Sequence, residues 1–347
     1  MTFIIAEAGV NHNGSIENAL KLIDVAKKAG ASAVKFQIFF SENLTTEKAQ
    51  LANYQKKNQK IKKNQRELLK SLELKKSDYR KLQSYAKKVK IEFLITPFGI
   101  EELKFVQEDL KLLNIKISSG EITNGPFLEL ASSKSNLLIL STGMSNFDEI
   151  DQALNIIYNG SKNRDKFLKL SDINSLSKPK VVLLHCTSDY PTNLKNVNLK
   201  AMIKMQQRYN LDIGYSDHTL DSITAICAVA NGAKVIEKHI TLSKNQIGPD
   251  HLASMEPESF KQFVNQIKSV EVLMGSSQKK STKNENITKA LVRKSIVAKK
   301  KIIKGDIFNF NNLTVKRPAN GMSPMKLWDL IGKKANRKFD KDELIET

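Results

Sequence analysis

The chain has 347 residues, of which 40% are hydrophobic, and a formal net charge of +20. That length admits one large domain with a small companion, and no apolar run approaches the ~20 residues of a membrane span. The charge does not point to nucleic acid, because only seven of the 56 basic residues are Arg, the side chain suited to bidentate phosphate and base contacts, and the lysine run at 55–63 has no interleaved aromatics.

From the N-terminus, short apolar runs alternate with amphipathic segments. The runs fall at 3–9, 33–40, 93–98, 114–121, 137–144, 181–191, 212–219 and 235–242. Several are almost continuously hydrophobic, the pattern of strands buried on both faces. Between them, Ser15 precedes the stripe Ala19, Leu22, Ile23, Ala26, and Ser145-Asn146-Phe147-Asp148 has the form of a capping box. Gly30 and Gly232 follow helical patterns where a left-handed cap is wanted. Eight β/α alternations over roughly 270 residues predict an α/β fold of the (β/α)8 TIM-barrel type. A doubly wound open sheet is the alternative, but it would gather its polar residues at one switch point, whereas here they close nearly every strand.

Two polar stretches interrupt the alternation. The Lys-rich segment 41–76 exceeds an ordinary βα loop and reads equally well as a loop shaping a substrate pocket or partner contact and as a solvated helical excursion; 160–180 reads as surface insertion. After Gly275 the texture changes. A polar linker at 276–290 leads to short alternating segments at 295–299 and 313–316, a Pro318…Gly321…Pro324 loop and a short helix near 325–331. The expected organisation is a catalytic barrel over 1–275, a linker over 276–290 and a small β-rich domain over 291–347. The last is too small to fold alone with ease and is expected to lean on another surface, such as a second subunit. Cys186 and Cys227 both fall in predicted elements, so no disulfide framework is expected. Glu7 comes too early for a signal-peptide core. A soluble cytoplasmic protein without membrane or nucleic-acid partners is the expectation.

The chemistry gathers at predicted strand ends. His218 and His239 lie 21 residues apart, one strand–helix step, so neighbouring strand tips would bring the imidazoles together. Two neutral nitrogens with open positions suit an octahedral Mn2+ or Mg2+ better than a closed zinc site. Lys35 with Gln37, Lys116 with Ser118, and Glu237 with His239 share strand parity. Two strand lysines flanked by hydroxyls match the needs of a phosphate monoester. Asp250, after the last strand, is a candidate outer partner of metal or substrate, while His12, His185 and His251 taken singly read as structural.

These residues, in this order, resemble the sialic acid synthase family. The resemblance rests on Ala6-Glu7-Ala8-Gly9-Val10-Asn11-His12-Asn13-Gly14, Val34-Lys35-Phe36-Gln37, Ile95-Thr96-Pro97-Phe98 and Lys116-Ile117-Ser118-Ser119-Gly120-Glu121. It continues through Leu140-Ser141-Thr142-Gly143-Met144, Leu184-His185-Cys186-Thr187, Tyr215-Ser216-Asp217-His218-Thr219 and Glu237-Lys238-His239. Arg317-Pro318-Ala319-Asn320-Gly321 resembles the family's antifreeze-like (SAF) domain. The resemblance implies condensation of phosphoenolpyruvate with an open-chain N-acetylated hexosamine to give a nine-carbon keto sugar acid. It also implies that Lys35, Lys116, Ser119, Ser141 and Ser216 hold phosphoenolpyruvate, with Gln37, Thr96 and Ser188 lining the same pocket. His218 and His239 would carry the metal; Glu7, Tyr190 and Asp250 would orient the sugar; and Glu121 or Glu237 would serve as base. A domain-swapped homodimer is implied, with Arg317 of one chain reaching the partner's sugar.

Ser188-Asp189-Tyr190-Pro191 departs from the Asn-Ile-Tyr-Pro and Thr-Glu-Tyr-Pro of other members. The expected sugars, in order, are N-acetylmannosamine, 2,4-diacetamido-2,4,6-trideoxymannose (giving legionaminic acid) and the pseudaminic acid precursor. Two rival classes stand beside the synthase: a Schiff-base aldolase using Lys35 or Lys116, and a carbohydrate- or ice-binding module suggested by the C-terminal texture alone.

Overall fold

The computed structural model describes residues 1–51, 64–163 and 179–346. It divides into two compact units, Met1–Gly275 and Ser276–Thr347. The lysine run at 55–63 and most of the insertion at 160–180 lie outside the described residues.

The first unit is a closed barrel of eight parallel strands in sequential order. They are β1 (Phe3–Gly9), β2 (Ala33–Ile38), β3 (Glu92–Pro97), β4 (Asn114–Ile117), β5 (Leu137–Ser141), β6 (Lys180–Cys186), β7 (Asp212–Asp217) and β8 (Val235–His239). β1 closes on β8 in register from Phe3↔Val235 to Glu7↔His239. Closure excludes the open doubly wound sheet. Seven of the eight strands end earlier than the hydrophobic pattern suggests, because the polar tips leave the ladder to form loops; after β4, Ser119–Glu121 turn into a short 3-10 helix. Ser15 caps the first helix as expected, accepting from the Asn18 amide, and Gly30 takes the left-handed cap at φ 82°. The capping box predicted at Ser145 sits one residue later, between Asn146 and Glu149.

Inside the barrel, Ile5, Ala33, Leu94, Ile139, Leu184 and Val235 form part of a separate apolar cluster. Each lies two residues before a strand-end group: Glu7, Lys35, Thr96, Ser141, Cys186 and Glu237 in the same order. The period of two thus builds a dry layer directly beneath a polar one. Gly214 belongs to this stacking, since a Cβ there would meet the Val235 carbonyl oxygen at 2.4 Å.

The second unit has its own core of Ile296, Ile302, Phe308, Leu313, Leu330, Phe339 and Ile345 with its neighbours. β9 (Ser295–Ala298) pairs antiparallel with β10 (Leu313–Lys316). Within the stretch read as linker, Thr282 and Glu285 form a capping box that starts the helix Lys283–Val292.

Candidate active site

One cavity of about 570 Å3 opens at the C-terminal ends of the barrel strands. It is lined by Glu7, Lys35, Gln37, Thr96, Lys116, Ser119, Glu121, Ser141, Ser188, Tyr190, Ser216, His218, Glu237, His239 and Asp250. Every predicted site residue of the first unit is therefore in one place. Arg317 is exposed at the end of β10 in the second unit.

The floor is an alternating array of charge. Lys35 Nζ lies 2.6 Å from Glu7 Oε2 and 3.6 Å from Glu237 Oε2, and donates to Thr96 Oγ1 at 2.7 Å. Lys116 Nζ lies 3.5 Å from Glu237 Oε1 and donates to Ser141 Oγ at 2.7 Å. Ser216 donates to Glu237 Oε1 at 2.8 Å, and Gln37 Nε2 to Glu7 Oε1 at 2.9 Å. Glu237 is thus held between two ammonium groups.

Burial alone would raise the pKa of Glu237, but Lys116, Lys35 and the Ser216 hydroxyl outweigh it and hold the carboxyl at about 2. Burial works against the Lys35 ammonium too, yet Glu237 and Glu7 keep its pKa above the ordinary value. At Lys116 burial wins and the pKa falls. Burial pushes Glu7 up despite Lys35. Glu121, also on the cavity lining, accepts from Asn124 Nδ2 at 2.7 Å.

A smaller nest lies beside Lys116. The Gly143 amide donates to Ser119 Oγ at 3.0 Å, and Ser119 Oγ is 3.3 Å from Cys186 Sγ. A Cβ at Gly143 would come within 2.5 Å of Ser188 Oγ, so glycine is required for these groups to converge. Hydroxyls, thiol and ammonium together make a cradle for an anion.

On the opposite side, the His218 and His239 rings lie 5.4 Å apart by centroid. Tyr190 packs against His218 at 4.1 Å. His218 donates from Nδ1 to the Thr187 carbonyl at 2.7 Å, which assigns the proton to Nδ1 and leaves Nε2 with its lone pair, 3.4 Å from Ser216 Oγ. Among the described residues His239 Nδ1 is buried without a hydrogen-bond partner, 3.9 Å from Asp250 Oδ2. Burial pushes both imidazoles down to about 3, so both are neutral at ordinary pH. Burial, then the charge of Glu7, pushes Asp250 up to about 7. Two neutral imidazoles, one with an orphaned nitrogen, fit a divalent cation. Among the described residues no third His, Cys, Asp or Glu completes a cluster, so water or substrate oxygens would fill the remaining positions.

Not every strand-end group faces the cavity. Lys238 and Asp217 pair at 2.8 Å with both side chains fully buried, and Lys238 also donates to the Thr219 carbonyl at 2.6 Å. His185 contacts the Val197 carbonyl, and His251 contacts Thr241 and Asn13. These are structural, as the reading of the single histidines holds. Sequence reasoning missed Cys186, although it shares parity with Leu184 inside the barrel. It also left undecided the role of 41–76, whose described residues Leu44, Thr45, Gln65, Leu68, Leu69 and Leu72 line the cavity. The signal was present: Asn64…Glu67 is a capping box leading into Leu68, Leu69 and Leu72.

Residues 22–279 match the NeuB family model and residues 293–347 the SAF domain model. The N,N'-diacetyllegionaminic acid synthase of Campylobacter jejuni is 46% identical over 99% of this chain and 98% of its own length. Its counterpart in Legionella pneumophila is 42% identical, over 95% of this chain and 89% of its own. Among solved structures, the N-acetylneuraminic acid (sialic acid) synthetase of Leptospira borgpetersenii, in complex with citrate, superposes with a TM-score of 0.69 at 32% identity. That match covers 83% of this chain and 90% of the other.

Proposed function

The chain belongs to the NeuB family, and we propose that it condenses phosphoenolpyruvate with an open-chain N-acetylated hexosamine to give a nine-carbon 2-keto sugar acid and inorganic phosphate. The observation that carries this reading is the pair of lysines bridged by Glu237 in one cavity with the neutral imidazoles of His218 and His239. Lys35, Lys116 and Ser141, with the Ser119–Ser188 nest, hold the phosphate and carboxylate of phosphoenolpyruvate. His218 and His239 hold Mn2+ or Mg2+, which when bound supplies Lewis-acid polarisation of the sugar aldehyde. Glu7, Tyr190 and Asp250 orient the sugar.

C3 of phosphoenolpyruvate forms the new bond to the aldehyde carbon as the C2–C3 double bond opens, and the former aldehyde oxygen takes up a proton to become a hydroxyl. Water then adds at C2, giving up a proton for which Glu121 and Glu237 are the candidate acceptors. The tetrahedral carbon breaks its bond to the bridging oxygen, phosphate leaves with both electrons and takes up the remaining proton of the C2 hydroxyl, and the 2-keto acid remains. Glu237 keeps the lysines charged and spaced. In a domain-swapped homodimer, Arg317 of the second subunit completes the sugar site.

For the sugar we favour 2,4-diacetamido-2,4,6-trideoxymannose, supported by the two relatives named as diacetyllegionaminic acid synthases. N-acetylmannosamine, placed first on the residues alone, becomes second. A competition assay with phosphoenolpyruvate and the candidate hexosamines, scored by product mass, tests the proposal. Absence of any nine-carbon keto acid would sink it, and borohydride trapping of pyruvate on Lys35 or Lys116 would favour the aldolase instead.

A further inference from the structure

We infer that the helix Gln65–Leu72, with the loop ends after β2 and β3, forms an apolar subsite that selects a 6-deoxy, doubly N-acylated hexose over one carrying a free 6-hydroxyl. The inference rests on the condensation proposed above. Its observation is the asymmetry of the cavity. One side is the charged floor and the imidazole pair; the other is built from Phe39, Leu44, Leu68, Leu69, Leu72 and Phe98.

Those six residues, with Val10 and Leu51, make an apolar cluster separate from the barrel core. Phe39 and Phe98 meet edge to face at 6.4 Å. The wall is fixed in place. Asn64 and Glu67 cap the helix reciprocally, and beyond its end the Glu73 carboxylate accepts from the Ser41 amide at 2.7 Å. Leu68 and Leu72 anchor it, being 4% and 5% exposed, while Leu44, Leu69 and Phe98 are only half-buried.

Placement decides what the wall touches. Apart from Lys35 at the centre of the floor on β2, the phosphate-binding groups come from β4 to β6 and the imidazoles from β7 and β8, whereas the wall stands above the ends of β1 to β3. A sugar with its aldehyde at His218 and His239 therefore extends its far carbons toward the wall. A hydroxyl buried there would lose its water without gaining a partner from Phe or Leu side chains, whereas a methyl group loses nothing. Thr45 and Gln65, which border the same side, offer partners for an acylamido group.

The test measures kcat/KM for 2,4-diacetamido-2,4,6-trideoxymannose and for N-acetylmannosamine in wild type, Leu69→Ser and Leu44→Thr. The half-buried positions are chosen so that the wall's anchors stay intact. The ratio of the two values should fall roughly tenfold in each variant, through a higher KM for the deoxy sugar, with the KM for phosphoenolpyruvate unmoved. An unchanged ratio in the folded variants, or an equal loss on both sugars, overturns the inference and leaves the condensation standing. Should one variant fail to fold by circular dichroism, the other carries the test. A wild type that makes no nine-carbon acid from either sugar overturns the proposed function itself.

Discussion

Glu7 and Lys35 are register partners on adjacent strands, and their charged ends meet at 2.6 Å with both side chains almost sealed from water. Such a pair contributes little to stability compared with an apolar replacement, but removing one member leaves the other charge uncompensated. Lys35→Met should therefore cost roughly 3–5 kcal/mol and abolish turnover. The double variant Lys35→Met/Glu7→Gln should recover much of the stability and none of the activity. Chemical denaturation decides the matter, and a double variant no more stable than Lys35→Met would be the wrong result.

Lys116 is held by Ser141 and Glu237 and lies beside the Ser119–Ser188 nest. Lys116→Met should raise the KM for phosphoenolpyruvate by roughly 10- to 100-fold, the worth of a hydrogen bond to a charged group, with little change in the sugar KM. Equal rises for both substrates would place Lys116 elsewhere in the reaction.

Chelation should remove activity, and Mn2+ or Mg2+ should restore it. Independently of turnover, Mn2+ should raise the melting temperature of the wild type and not of His218→Ala/His239→Ala. Full activity after exhaustive chelation would refute the assignment.

His12 is 1% exposed, and burial, followed by the neighbouring His251, pushes its pKa down to about 4. The folded value lies below the unfolded value of roughly 6.5, so protons bind preferentially to the unfolded chain. The stability this neutral imidazole retains above that pH is lost as pH falls from about 6.5 to about 4, by about 3 kcal/mol for this group. His12→Asn should lose less stability than wild type between pH 7 and pH 4.5 in urea denaturation. Parallel losses would show that other groups govern the acid limb.

The exchanged-arm proposal has a reciprocal test. Arg317→Ala and His218→Ala homodimers should each be inactive, while hybrids formed by subunit exchange should regain activity, because one of the two sites then has both residues. Hybrids as inactive as their parents would mean that Arg317 serves its own barrel or none.

The barrel was legible because buried parallel strands write themselves as hydrophobic runs ending in polar residues, and the same parity that hides Ile5 and Val235 places Glu7 and Glu237 above them. The imidazole pair was legible from spacing alone. Strand ends were not, since Ser119 keeps an extended-looking composition while the chain has already turned into a 3-10 helix. Neither was the apolar wall: in a Lys-rich insertion Leu68 and Leu72 look like an ordinary amphipathic stripe, and nothing local says which body that stripe will cover.

In β8 Glu237 and His239 point into the cavity while Lys238, between them, is fastened to Asp217 behind the sheet. Gaining or losing a single amino acid within this strand would exchange the two faces at once, drawing the His239 imidazole out of the cavity and driving an ammonium into it. Length variation is therefore disruptive inside the staves and best borne in the connecting arches, and it is in such an arch that the leucine helix stands over the cavity.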